Sequence, residues 1–323
     1  MRNPAGGGRM IGISKWRVQG MRDPLMQRVK QQLGVETVPF YENESPEKAA
    51  SKRTIRELGA RRDGPLNPDR VAVDDPQAMA ETVKGVARDL GADMVGIARL
   101  TPVMINIGEN LPHDTVICMG FHEDYCAVVK GADAVEAQAF GAYQRCAETS
   151  TALAERLRGM GWPGLAHHNG GCDVMAIPAL YAAGFGELGK HGSLINPEYG
   201  ASFRPSFVTT TMPLAVDAPL VFGVQDYCEN CNLCTNNCPG DAVATAEPIV
   251  TEGVKRWIVS TEKCYPYSRY RQEYCHICVD VCPYIHKENG DGERRGIYKQ
   301  YMKARRDAGW KAPKSDVVHA ATE

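Results

Sequence analysis

The chain has 323 residues, a hydrophobic content of 43% and a formal net charge of −2. That length and content suffice for one large buried core or two modest ones. The charge balance leaves no global basic excess to grip nucleic acid, so no nucleic-acid partner is expected, and no run of about 18 apolar residues could span a bilayer.

Residues 1–74 are polar and rich in Arg, Lys, Pro and Gly, and read as an arm wrapped over a core. The opening stretch, MRNPAGGGRMIGISKWRVQG, holds no apolar h-region and no twin arginine ahead of a hydrophobic run, so the expected compartment is the cytoplasm. An amphipathic helix is expected over 76–90, started by Asp74-Asp75-Pro76 and ended by Gly91-Ala92-Asp93, then an apolar strand over 94–100. The run DTVICMG, 114–120, reads as a second buried strand. Residues 132–160 read as a long helix closed by Gly161-Trp162-Pro163-Gly164, and 177–185 as another helical run. Helix and strand thus share an α/β or α+β core over 75–220. It contains no GxGxxG after a strand, no GxxxxGK[ST], no HExxH and no CxxCH, so nucleotide, zinc-protease and haem readings lack support.

Eight of the twelve cysteines fall in two blocks within 221–290: Cys228-x2-Cys231-x2-Cys234-x3-Cys238-Pro239 and Cys264-x10-Cys275-x2-Cys278-x3-Cys282-Pro283. In such runs three thiolates wrap one cuboidal 4Fe-4S cluster in a tight turn, and the cysteine before the proline ligates the other cluster. Crossed sets are therefore expected: Cys228, Cys231, Cys234 and Cys282 on one cluster, Cys264, Cys275, Cys278 and Cys238 on the other. Four-cysteine zinc sites are the competing reading, but zinc modules usually pair two CxxC motifs across a loop. Cys118, Cys126, Cys146 and Cys172 lack ligand spacing and read as plain buried thiols. A charged tail over 291–323, with a helix near 297–308, closes the chain.

Between core and cysteines runs AGFGELGKHGSLINPEYG, residues 183–200, followed by Arg204 and by TTTMPL, 209–214. Taken with the two cysteine blocks in this order, these segments resemble the cobalamin and iron-sulfur core of the reductive dehalogenases, from about residue 91 to 284. The resemblance implies an α+β, nitroreductase-like cobalamin-binding core followed by a ferredoxin-like two-cluster 4Fe-4S module. It also implies base-off cobalamin, an organohalide substrate, and electrons from an external ferredoxin or flavoprotein. Carried onto this chain, it points to Tyr143 as proton donor, Arg204 as its cationic partner and Asn169 as a polar neighbour. Tyr125 is the rival tyrosine. Corrin or cluster contacts fall on Gly186, Lys190, His191, Asn196, Met212 and His276.

Bland readings stand beside these. Lys190 could cap a helix, and His167, His168 and His191 show no ligand spacing. His276 is expected to tune a cluster through a hydrogen bond, while Tyr265, Tyr267, Tyr270 and Tyr274 would shield one from water. Arg269 and Arg271 would meet a carboxylate or form surface ion pairs. The epoxyqueuosine reductases, which act on transfer RNA, share the glycine turn and both clusters but carry GWxGKN where this chain reads GELGKH, 186–191. A two-cluster electron carrier without corrin is the third alternative.

Overall fold

The computed structural model describes residues 45–286, apart from 107, 125, 126, 128, 129, 131, 244, 246, 252, 253, 266 and 268–274, together with 303 and 307. Helix α1 (Pro46–Gly59) begins at Ser45, whose hydroxyl accepts from Lys48 N, and α2 (Pro76–Asp89) at Asp75, whose carboxylate accepts from Gln77 N and Ala78 N. Both place proline in the first turn, where a missing N–H costs nothing. The strands β1 (Met94–Arg99) and β2 (Thr115–His122) follow, then the long helix α3 (Ala132–Gly159), β3 (Leu165–His167) and α4 (Ala176–Ala182). A small hairpin, β4 (Glu187–Leu188) with β5 (Leu194–Ile195), leads into β6 (Phe203–Thr210).

Four of these strands form one antiparallel sheet in the order β1-β2-β6-β3. Side chains alternate across it, and both faces are covered. Ile97, Ile117, Met119, Phe121 and Val208 pack under α2 and α3, while Ala98, Val116, Cys118 and Phe207 pack under α4. Burial on both sides explains why β2 reads as a continuous apolar run. Met212 belongs to the α2 and α3 side of this core and is fully buried.

Strands β3 to β6 lie beyond the two expected strands, and one helix is shorter than expected. Strand β6 contains Pro205, although proline argues against a central strand. The short β3 pairs only with Phe207 through Thr209, so beyond it β6 has a free flank on that side, where Pro205 sits. Helix α4 stops at Ala182, short of residue 185, because Gly184 turns the chain at a φ of 77°.

The described part of the N-terminal segment lies over the core, with α1 packed on α3. Arg62 donates to Ala166 O at 2.7 Å and pairs with Asp173 at 2.7 Å, and Trp162 Nε1 donates to Val71 O at 3.0 Å. Beyond the sheet come α5 (Val224–Asn230), α6 (Leu233–Asn236), the hairpin β7 (Ile249–Thr251) and β8 (Val254–Arg256), α7 (Thr261–Tyr265) and α8 (Ile277–Asp280). Among the described residues no helix is long and apolar enough to cross a membrane. The tail helix expected near 297–308 lies outside the described residues, apart from 303 and 307.

His167 and His168 are buried where Arg62 crosses the sheet. His167 is held well below the ordinary histidine range by burial first and Arg62 second, and His168 is pushed down to about 4 by the same causes. The unfolded chain binds protons at these positions near pH 6.5, the native chain only at lower pH. Their contribution to stability is therefore complete above about pH 6.5 and drains away as pH falls toward about 4. Thermal unfolding followed from pH 7.5 to 5 should show a falling midpoint, and His168→Gln should flatten the decline. An equal slope in the variant would remove His168 as its source.

Candidate active site and cysteine clusters

Register brings the first set of polar groups together. Arg204, near the start of β6, pairs with Phe121 on β2, and Glu123 follows β2 directly, its N–H donating to Ser202 O at 3.0 Å. Arg204 Nε donates to Glu123 Oε1 at 2.9 Å, and Nη1 donates to the Tyr143 hydroxyl oxygen at 3.1 Å. The guanidinium carbon also stands 5.1 Å from the centroid of the Tyr143 ring, which arrives from the first half of α3. Phe140, one turn earlier, meets Tyr143 edge-on at 5.9 Å, and the ammonium groups of Lys48 and Lys52 lie 5.0 and 5.6 Å from its own centroid.

This arrangement fixes the phenol's polarity. Because its oxygen accepts from Arg204, its hydrogen is directed away from the guanidinium, and a cation is in place that would stabilise a phenolate. Glu123, not singled out from the sequence, anchors the arginine; its only signal was its position just past a strand that ends beside Arg204. Asn169 is exposed in the turn closed by His168 and Gly171, just past β3 and on the sheet end that also carries Arg204. Tyr125 lies outside the described residues.

The glycine turn builds the β4 and β5 hairpin. Gly186 has a φ of 153°, and a Cβ there would lie 1.9 Å from Ile195 O, so only glycine lets the two arms close. Asn196 caps the following turn: its Oδ1 accepts from Glu198 N and Tyr199 N, and its Nδ2 donates to Phe185 O. Glu187, buried, accepts from Phe222 N at 2.6 Å and Val224 N at 3.0 Å, tying the hairpin to the start of α5 and so to the first cysteine block. Lys190 faces that block, donating from Nζ to Asn232 Oδ1 at 2.9 Å.

His191 Nδ1 accepts from Ser193 N, and burial pushes the imidazole down to about 4, so the ring is neutral with its proton on Nε2. Among the described residues that buried Nε2–H has no hydrogen-bond partner. A carbonyl oxygen on a bound group, such as a corrin carboxamide, would satisfy it.

The cysteines gather in two crossed groups. Cys282, pushed up to about 12 chiefly by burial, feels Cys228, Cys234 and Cys231 as its charged neighbours. Cys278, raised by burial, feels Cys264, Cys275 and Cys238. Four thiols in each group match the four thiolates of a 4Fe-4S cube, and iron binding would displace the protons that burial favours. The first group packs with Ile195, Val224, Trp257 and Tyr284, against the hairpin, and the second lies beside Val243, Ile277 and Val281. His276 Nδ1 lies 2.7 Å from Asp280 Oδ1 within α8, and Tyr267 is buried. Tyr270, Tyr274, Arg269, Arg271 and Cys126 lie outside the described residues.

A family profile described as a 4Fe-4S dicluster domain matches residues 227–285. The tetrachloroethene reductive dehalogenase of Sulfurospirillum multivorans is 28% identical over 270 residues, covering 68% of this chain and 53% of that protein. The chain is similar to the reductive dehalogenases. A solved catabolic reductive dehalogenase, NpRdhA, superposes with a TM-score of 0.70 at 26% identity, covering 84% of this chain and 41% of that one. The chain thus spans about half the length, or less, of the relatives it matches. Similarity to an epoxyqueuosine reductase of Leadbetterella byssophila is more restricted: 30% identity over 108 residues, 32% of this chain and 34% of that protein.

Crossing makes a specific prediction. Cys282→Ser should alter the cluster of Cys228, Cys231 and Cys234, although it belongs to the second block. In anaerobically reconstituted protein, spectra should match those of Cys231→Ser and differ from those of Cys275→Ser. Grouping of Cys282→Ser with Cys275→Ser would refute the crossed sets.

Proposed function

We propose that the chain is the electron-delivering and catalytic part of a corrinoid-dependent reductive dehalogenase. Two 4Fe-4S clusters, held by the crossed cysteine sets, relay electrons from an external ferredoxin or flavoprotein toward a base-off cobalamin, and the substrate is a small organohalide. The observation that carries the reading is the hydrogen bond from Arg204 to Tyr143 on a sheet end joined by one short hairpin to the first cysteine group. When bound, cobalamin supplies a low-potential cobalt able to cleave a carbon-halogen bond reductively.

The chain's own residues have separate tasks. Tyr143 hands its hydroxyl proton to the carbon that loses halide, and Arg204 stabilises the phenolate oxygen that remains. Glu123 orients the guanidinium, and Asn169 supplies a polar contact at the same sheet end. His191 offers its Nε2–H to a corrin carboxamide, and Gly186 and Asn196 shape the turn that presents it. His167 and His168 have both ring nitrogens engaged by Arg62, Asp173, Thr209, Gly170 or Thr151, which supports a corrin without a lower histidine ligand. Residues 75–220 would form the nitroreductase-like core and 221–290 the cluster module.

The test is anaerobic reconstitution with iron, sulfide and cobalamin, then halide release from halogenated phenols and chloroalkenes with reduced methyl viologen. Bound corrin and released halide are expected, with Tyr143→Phe lowering turnover about 10²-fold or more while corrin binding persists. A protein that takes up iron but never corrin would reduce the reading to that of an electron carrier. Full activity in Tyr143→Phe would move the proton donor elsewhere.

A further inference from the structure

Lys190 presents an electrostatic imbalance. The residue is 3% exposed, and besides its bond to Asn232 its ammonium lies 5.5 Å from the centroid of the Trp257 ring. Among the described residues it forms no ion pair with a carboxylate. Glu187, the buried acid of the same hairpin, is engaged by the N–H groups of Phe222 and Val224. A buried ammonium must be offset by negative charge nearby. The cysteine sulfurs, thiolates once iron is bound, are that neighbour: Lys190 acts on both Cys228 and Cys234 through its charge, opposed at Cys228 by Glu187, and its backbone is hydrogen-bonded to the Cys228 sulfur. Asn232, its partner, stands between Cys231 and Cys234, so the same contact fastens the ligand loop.

We infer that Lys190 is the counter-charge of the cluster held by Cys228, Cys231, Cys234 and Cys282, and that it raises this cluster's reduction potential above that of the other. The inference rests on the two-cluster reading and not on the corrin. A thiolate-bound 4Fe-4S cluster gains one negative charge on reduction, and a fixed cation in a low-dielectric setting favours the more negative form. The second group has an acidic neighbour: Asp280, fully buried and 2.7 Å from His276 Nδ1, lies beside Cys278. An electron entering at the second cluster would pass to the first, reoxidising the second, and so arrive at the hairpin side of the protein. Lys190 is a positioning residue in this scheme, acting on the cluster through its field.

The experiment uses the full chain, reconstituted anaerobically with iron and sulfide and without corrin, in a redox titration followed by EPR. The signal of the first cluster is identified as the one altered in Cys231→Ser. Lys190→Gln should lower its midpoint by at least a tenfold change in the reduction equilibrium, about 59 mV for one electron. The second cluster should stay in place, and Lys190→Arg should remain within that margin of the wild type. An unmoved midpoint in Lys190→Gln overturns the inference. If Lys190→Gln loses half the iron, Asn232→Ala decides: a first cluster assembled at the wild-type potential assigns the effect to charge. Loss of the same iron leaves Lys190 only a fastening role and overturns the inference. Wild-type protein without iron would refute the two-cluster reading itself, a result visible before any variant is compared.

Discussion

Four thiols gather in each of two groups, and neither cysteine block holds a complete set. Cys282 joins Cys228, Cys231 and Cys234, and Cys238 joins Cys264, Cys275 and Cys278. The two blocks therefore fold onto one another as a unit. That unit is in turn fixed to the core by one buried carboxylate, Glu187, which receives two backbone N–H groups at the entrance to α5. Charge-assisted bonds of this kind, away from water, are strong and directional. The close approach of Gly200 to the backbone of Tyr284 and Ile285 makes a second junction, since a Cβ at Gly200 would lie 3.0 to 3.3 Å from it.

The sheet supplies the complementary constraint. With both faces buried, its registers cannot slip without moving apolar side chains from one layer to the other. Strand β6 is thereby locked between β2 and β3, so Arg204 emerges at the sheet end beside Glu123 and under Tyr143. A guanidinium held by a carboxylate on one edge and a phenol on another has little rotational freedom. On its far side Phe140 meets Lys48 and Lys52 of α1, and Lys48 is buried and paired with Glu136 at 3.0 Å.

Several features were legible before any coordinates. Helices α2 and α3 follow from their capping residues and periodicity, β1 and β2 from short apolar runs bounded by turn residues, and the cysteine spacing from the geometry of cluster ligation. Other features were hidden by local signals that tertiary context overrode. Pro205 argues against a central strand at β6, yet the shortness of β3 leaves the place where proline's missing N–H is tolerated. Met212 is enclosed by the core, and Asn196 and Gly186 shape the hairpin and the turn between it and β6. Lys190 could be read as a helix cap or a corrin contact because nothing nearby in the chain reveals that Asn232, Trp257 and Cys228 converge on it.

The linear chain by itself determined what is local: which segments are helical or extended, and which eight cysteines have ligand spacing. Those properties arise from periodicity, caps and chain stiffness over a few residues. Only the tertiary structure decided which further groups from distant segments share a space: Glu123 with Arg204, Glu187 with α5, and the buried Lys190 ammonium with one of the two thiol sets. Burial and electrostatic pairing are set by the packing of whole elements, and a sequence read in windows carries no record of that packing.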